Sequence, residues 1–144
     1  MNDKLELTVK RTIPAPRKDV FEAWLSPEAL TEFIRPMPEM SVPKVEVDAR
    51  VGGEFLIVMQ AGSEEMPHRG EYRTIDRYDR LAFTWILPAT IPGSLVTIDF
   101  VEIGPNETEL TLHHEGFPND EMRGNHEGGW TGILDTLGAT AMSR

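Results

Sequence analysis

The 144-residue chain contains no cysteine and has few basic residues, with 14 Lys and Arg against 24 Asp and Glu and a net charge of −10. The absence of cysteine excludes a disulfide scaffold, a cysteine-ligated zinc site and a thiol nucleophile. The scarcity of positive charge argues against binding to nucleic acid or to an anionic membrane surface, because both require positive potential. The N-terminus has no apolar signal-peptide core, and no apolar run approaches the roughly 20 residues that span a bilayer. We therefore expect a cytoplasmic protein.

The hydrophobic pattern predicts one domain over residues 1–144, with the order strand, two short helices, six strands and one long helix. Leu5, Leu7 and Val9 alternate with polar residues, as in a half-buried strand. Ser26-Pro27-Glu28 has the residue types of a helix start. From 42 to 115 the apolar period is mostly two, and we interpret 61–69 within this region as a polar loop. Strands joined by short turns predict an antiparallel sheet.

The last predicted element is an amphipathic helix that begins after Asn119 and runs nearly to the C-terminus. It contains five glycines, of which Gly124, Gly128 and Gly132 are predicted to lie opposite the apolar stripe. Three interpretations remain open for these glycines. They form a tolerated solvent face, a groove against which another backbone packs, such as that of a dimer partner, or a helix half that loosens to admit a ligand.

Several stretches carry a family resemblance, and in chain order they are Thr12-Ile13-Pro14-Ala15-Pro16-Arg17, Val20-Phe21-Glu22-Ala23-Trp24, Ser26-Pro27-Glu28, Asp48-Ala49-Arg50-Val51-Gly52-Gly53, Arg80-Leu81-Ala82-Phe83-Thr84-Trp85, Leu110-Thr111-Leu112-His113-His114-Glu115-Gly116-Phe117-Pro118 and His126-Glu127-Gly128-Gly129-Trp130. With them the chain resembles the START-related helix-grip (SRPBCC) superfamily. Within it, the chain is similar to the bacterial subgroup related to the C-terminal domain of the Hsp-ninety ATPase activator. The resemblance implies an α+β helix-grip fold, in which a curved antiparallel sheet of six or seven strands wraps around the long C-terminal helix and leaves a cavity between them.

The same resemblance implies that part of the aromatic set lines this cavity, although aromatic side chains also dominate ordinary cores. The predicted ligand-binding residues are Trp24, Phe33, Phe55, Arg73, Trp85, His114, His126 and Trp130. Arg73 is included because it shares parity with Glu71 and the apolar Ile75, which would turn it inward as a polar handle. The alternative is an edge or a bulge that turns both charged residues to solvent.

His114 shares a strand face with Leu110 and Leu112, so we expect it to point inward. It is the one weak candidate for a general base or a hydrogen-bond donor, because imidazole titrates near working pH. The alternative is a core histidine with satisfied hydrogen bonds. His114 and His126 without a third ligand make a poor metal site, so we predict neither a metal nor a cofactor.

The leading functional prediction is the binding of a small hydrophobic molecule between sheet and helix. One alternative is an enzyme of the cyclase, dehydratase or hydrolase type that acts on a similar molecule. Another is a chaperone-interacting module, by analogy with the Hsp-ninety activator domain. A homodimer is possible, and neither nucleic acid nor membrane is expected as a partner.

Overall fold

The computed structural model describes residues 5–37, 39–87 and 93–142 and shows three helices with a seven-stranded sheet. In chain order the elements are β1 Glu6–Ile13, α1 Arg17–Ala23, α2 Pro27–Phe33, β2 Ser41–Val47, β3 Glu54–Ala61, β4 Glu64–Asp76, β5 Arg80–Thr84, β6 Leu95–Gly104, β7 Glu107–Glu115 and α3 Asp120–Met142. The strands lie in the order β1-β7-β6-β5-β4-β3-β2, and all neighbouring pairs are antiparallel. The predicted α+β helix-grip fold and its element order are confirmed.

Both predicted helix starts are capped by the side chains that the sequence indicated. The Ser26 hydroxyl accepts a hydrogen bond from the Ala29 amide at 3.2 Å, and Pro27 occupies the first turn of α2. The Asn119 side chain accepts one from the Met122 amide at 2.9 Å at the start of α3. No helix in the described part of the chain has the length and apolarity needed to cross a membrane.

The interpretation of residues 61–69 as a polar loop is wrong. Strands β3 and β4 form a continuous hairpin, in which Ala61 pairs with Glu64 and Ile57 pairs with His68. The turn needs only two residues because Gly62 adopts a positive φ of 62°. As a result β4 begins six residues earlier than the loop interpretation allowed, and its first half contributes side chains to the interior.

The predicted inward position of Arg73 is also wrong. Tyr72 lies opposite Phe83 in β5, whereas Thr74 lies opposite Ala82, so the register shifts by one residue at a β-bulge. Because of this shift, Tyr72 and Ile75 both face inward and Arg73 faces outward. Arg73 lies 3.6 Å from Glu71 in a solvent-exposed ion pair. The bulge alternative is therefore the correct one.

The glycines of α3 do not share one role. A Cβ atom on Gly132 would collide with the backbone carbonyl oxygen of Pro36, in the segment between α2 and β2. A Cβ atom on Gly129 would lie 3.6 Å from the Pro36 ring, whereas Gly124 and Gly128 have nothing within 4 Å. Another backbone segment therefore packs against α3 at Gly132, as one of the interpretations expected. That segment belongs to the same chain and not to a dimer partner.

Candidate functional site

An aromatic row crosses the interior between the helices and the sheet. Phe33 contacts Trp24 with ring centroids 5.0 Å apart, and Trp24 lies 6.3 Å from Trp130. Trp130 contacts Trp85 at 5.0 Å, and Trp85 continues to Phe55 at 6.1 Å. All five rings are deeply buried, since their exposed fractions range from 1% to 4%. The row fills much of the space that the fold leaves between sheet and helix.

A cavity of about 310 Å³ lies beside the Trp85 and Trp130 rings of this row. Four methionines contribute to its wall, and we call it the methionine cavity; they are Met40, Met59, Met66 and Met122. The remaining lining residues are Pro36, His68, Trp85, Leu87, Asn125, His126, Gly129, Trp130 and Ile133. The wall therefore comes from β3, β4, α3 and the segments before β2 and after β5, and its described residues include no Asp, Glu, Lys or Arg.

His114 lies behind this wall and is fully buried. The Trp130 indole donates to its Nδ1 at 3.0 Å, which places the ring proton on Nε2. Nε2 then donates to the Ser94 hydroxyl at 2.7 Å, and that hydroxyl donates to the Trp85 carbonyl at 2.8 Å. Burial, with smaller contributions from the imidazoles of His126 and His113, lowers the pKa of His114 to about 2. His114 is therefore a neutral core histidine with both nitrogens engaged.

The two histidines in the cavity wall are also held neutral. His126 Nε2 accepts from the Trp85 indole at 3.3 Å, so its Nδ1 carries the proton and donates to the Met122 carbonyl at 3.0 Å. Burial lowers the pKa of His126. His68 Nδ1 lies 2.9 Å from the Met66 carbonyl, and its ring packs against Trp85 in a tilted arrangement with ring centroids 4.9 Å apart. Burial, together with the nearby His126 ring, lowers the pKa of His68 to about 4.

Two further spaces lie along the aromatic row. A void of about 10 Å³ is lined mainly by apolar side chains from the sheet and from the end of α2, together with Trp24 and Trp85. Trp85 lines both this void and the methionine cavity. A second cavity of about 370 Å³ lies at the Phe33 end, between the β1–α1 connection and the end of α3, and the exposed Asp19 and Asn106 are part of its wall.

The comparisons with known proteins identify the family. The model for the "Activator of Hsp90 ATPase homolog 1-like protein" family matches residues 14–141. The chain belongs to this family. A solved structure of a Chromobacterium violaceum protein is 26% identical, with a TM-score of 0.86 over 94% of this chain and 96% of that one. The AHSA1-like protein from Aeromonas hydrophila shares the fold at 21% identity, with a TM-score of 0.80 over 96% of this chain and 92% of that one. Comparison with curated proteins found no match.

In this AHSA1-like chain the predicted site residues fall into three groups. Trp85, His126 and Trp130 line the methionine cavity. Trp24 and Phe55 line the adjoining void, and Phe33 lines the cavity at the opposite end. His114 lines none of these spaces and supports Trp130 from behind, whereas Arg73 lies on the outer face of the sheet.

The main residues missed by the sequence analysis of this AHSA1-like protein are His68 and the four methionines of the cavity. His68 and Met66 were assigned to a polar loop, so their strand parity was not considered. The alternation of residues 66–72 is the sequence feature that indicates a strand here. The even-numbered residues of this stretch face inward, and the odd-numbered residues face outward. Met59 follows the alternation of β3, in which it is buried together with Phe55 and Ile57, but Met40 and Met122 meet it only in the tertiary structure.

Proposed function

We propose that this protein binds a small, neutral and largely apolar molecule in the methionine cavity. The observation that carries the proposal is an uncharged cavity of about 310 Å³ between α3 and strands β3 and β4. This volume is at the lower end of the range of about 300–1,000 Å³ found for small-molecule pockets. Methionine side chains are flexible and polarisable, so they can adapt to an irregular ligand and make favourable contacts with aromatic rings.

The cavity wall also favours a neutral ligand over a charged one. A carboxylate or an ammonium group placed among these side chains would lose its hydration without gaining a counter-charge, which is costly. His68 and His126 do not supply positive charge at neutral pH, because burial lowers the pKa of both rings. We therefore expect ketones, alcohols and hydrocarbons of suitable size to bind more tightly than carboxylates of the same shape.

The methionine methyl groups provide the experiment for this proposal. In protein with isotope-labelled methionine methyls, titration with acetonaphthone should shift the resonances of Met40, Met59, Met66 and Met122. Met37 is the internal control, because its side chain is 48% exposed and does not line the cavity. Naphthoate, which has a similar shape but is charged, should bind at least about tenfold more weakly.

Three results would contradict the proposal. No saturable methyl shift with acetonaphthone would mean that the cavity does not accept a ligand of this class. A saturable shift confined to Met37 would place binding outside the cavity. Equal affinity for acetonaphthone and naphthoate would contradict the preference for neutral ligands.

The enzymatic and chaperone-binding alternatives remain predictions. The hydrogen bonds of His114 to Trp130 and Ser94 leave neither ring nitrogen available to a substrate, which does not favour the weak prediction that this residue is a general base. Among the residues that the structure describes, no three His, Asp or Glu side chains are grouped so as to hold a metal ion. The apolar cavity specifically favours the binding of a small molecule over these two alternatives.

A further inference from the structure

The three tryptophans of the chain differ in how their indole N–H groups are satisfied. Trp85 donates to His126 at 3.3 Å, and Trp130 donates to His114 at 3.0 Å. Trp24 is 3% exposed, and its Nε1 is sealed from solvent with no hydrogen-bond partner among the described residues. Buried donors are normally paired, because an unpaired one loses its hydration without compensation. Trp24 therefore carries an unused hydrogen-bond donor inside the core.

This donor belongs to a side chain that lines the small void beside the methionine cavity. The void, of about 10 Å³, has room for about one atom the size of a water oxygen. Its walls are almost entirely apolar. Trp85 is the side chain that borders both the void and the methionine cavity.

We propose that the Trp24 indole N–H is the internal hydrogen-bond donor for the ligand, and that it selects molecules with an apolar body and one terminal oxygen acceptor such as a carbonyl or an ether. The apolar body occupies the methionine cavity, and a tilt of the Trp85 ring admits the acceptor oxygen to the void. This inference rests on the proposed function, because it assumes a ligand in that cavity. It adds a residue that determines specificity and a defined chemical group on the ligand.

The test compares two probes of nearly equal shape, acetonaphthone and isopropenylnaphthalene, in which a methylene group replaces the carbonyl oxygen. In a nitrogen–proton correlation spectrum of the wild-type protein, the three tryptophans give three indole signals, which single Trp-to-Phe variants assign. Acetonaphthone should move the Trp24 signal downfield, as expected for a new hydrogen bond, whereas isopropenylnaphthalene should not. The Trp85 signal should respond to both probes, because its ring borders the cavity.

The variant Trp24→Phe removes the N–H group and keeps an aromatic ring. Calorimetric titration should show a loss of roughly fivefold in affinity for acetonaphthone, and a change of less than about twofold for isopropenylnaphthalene. Phe33→Leu is the matched control, because Phe33 packs on Trp24 at 5.0 Å without supplying a donor. It should alter the affinities for both probes by the same factor.

The outcomes separate this inference from the proposed function. In one outcome, both probes bind in the methionine cavity, shift the Trp24 indole signal by the same amount and lose the same factor of affinity in Trp24→Phe. That result would overturn the donor role of Trp24 and leave the cavity proposal standing. If neither probe shifts the cavity methionines, both proposals fail. If the variant does not fold, the wild-type indole spectrum alone decides between the two results.

Discussion

The buried histidines show how a single residue type can be made chemically inert by its surroundings. The sequence correctly placed His114 on an inward strand face, but its partners Trp130 and Ser94 come from α3 and from the segment before β6. Only the tertiary structure brings these groups together, so parity alone could not distinguish a base from a satisfied core residue. The neutral state of these rings has a direct consequence for stability at acidic pH.

We predict that acid destabilises the folded protein mainly through its buried histidines. The unfolded chain takes up a proton on each histidine near the ordinary pKa of 6.5, whereas folding lowers the pKa of His114 to about 2 and that of His68 to about 4. Their contribution is therefore fully present above pH 6.5 and is lost as the pH falls toward the folded values. At about pH 5 each should cost about 2 kcal/mol relative to about pH 8.

Urea unfolding of wild type and His114→Gln at the two pH values measures this effect. The variant should be less stable at about pH 8, because Gln lacks the imidazole ring that packs against Phe117 at a centroid distance of 4.3 Å. It should also lose about 2 kcal/mol less than wild type on acidification, since one titrating group is gone. An identical loss in both proteins would show that His114 does not contribute to acid sensitivity.

At the level of secondary structure, the close contact between α3 and the segment after α2 determines which glycines are required. We predict that Gly132→Ala lowers the free energy of unfolding by about 1–3 kcal/mol, because the added methyl group collides with the Pro36 carbonyl. Gly128→Ala is the matched control on the same helix, where the methyl group meets nothing within 4 Å. It should stabilise by about 0.5–1 kcal/mol through improved helix propensity.

Chemical denaturation of both variants provides the measurement, and ligand titration adds a second one. Pro36 and Gly129 line the methionine cavity, so displacing Pro36 in Gly132→Ala should also weaken the binding of acetonaphthone. The Gly128→Ala variant should bind as wild type does. Equal stabilisation by both substitutions would show that the Pro36 backbone does not approach α3 in solution.

Strand β4 shows what the sequence could and could not predict about the elements. The periodic spacing of apolar residues was sufficient to predict the number and order of the helices and strands, because each element must bury one face. The two errors in β4 come from local backbone geometry. The hairpin turn depends on the positive φ of Gly62, and the bulge between Tyr72 and Thr74 places Ile75 on the opposite face from Arg73. Neither backbone feature is visible in the hydrophobic pattern, whereas the alternation of residues 66–72 is visible and indicates the first half of β4.

For the whole molecule, the aromatic row explains why the interior is divided into several spaces. Phe33, Trp24, Trp130 and Trp85 lie in sequence across the interior, with one cavity at the Phe33 end and the methionine cavity beside Trp130 and Trp85. The sequence indicated that aromatic residues converge there. It could not indicate how they divide the space, because that depends on contacts between residues of α2, of α3 and of the segments directly after α1 and β5.

The position of the methionine cavity makes the first half of α3 the part of the molecule most sensitive to a ligand. Residues 124–129 include exposed glycines and border the cavity, whereas Leu134 and Leu137 are buried in the common core and do not line it. We predict that amide hydrogens of 124–129 exchange faster than those of 133–137 in the free protein, because local opening of this half exposes less apolar surface. Acetonaphthone bound in the methionine cavity would contact both the sheet and this half of the helix. At a ligand concentration of about 100 times Kd, exchange through openings that release the ligand should slow by up to about 100-fold. Mass-spectrometric or NMR exchange with and without the probe measures both effects. Uniformly slow exchange along α3 in the free protein would show that this half of the helix does not open to admit a ligand.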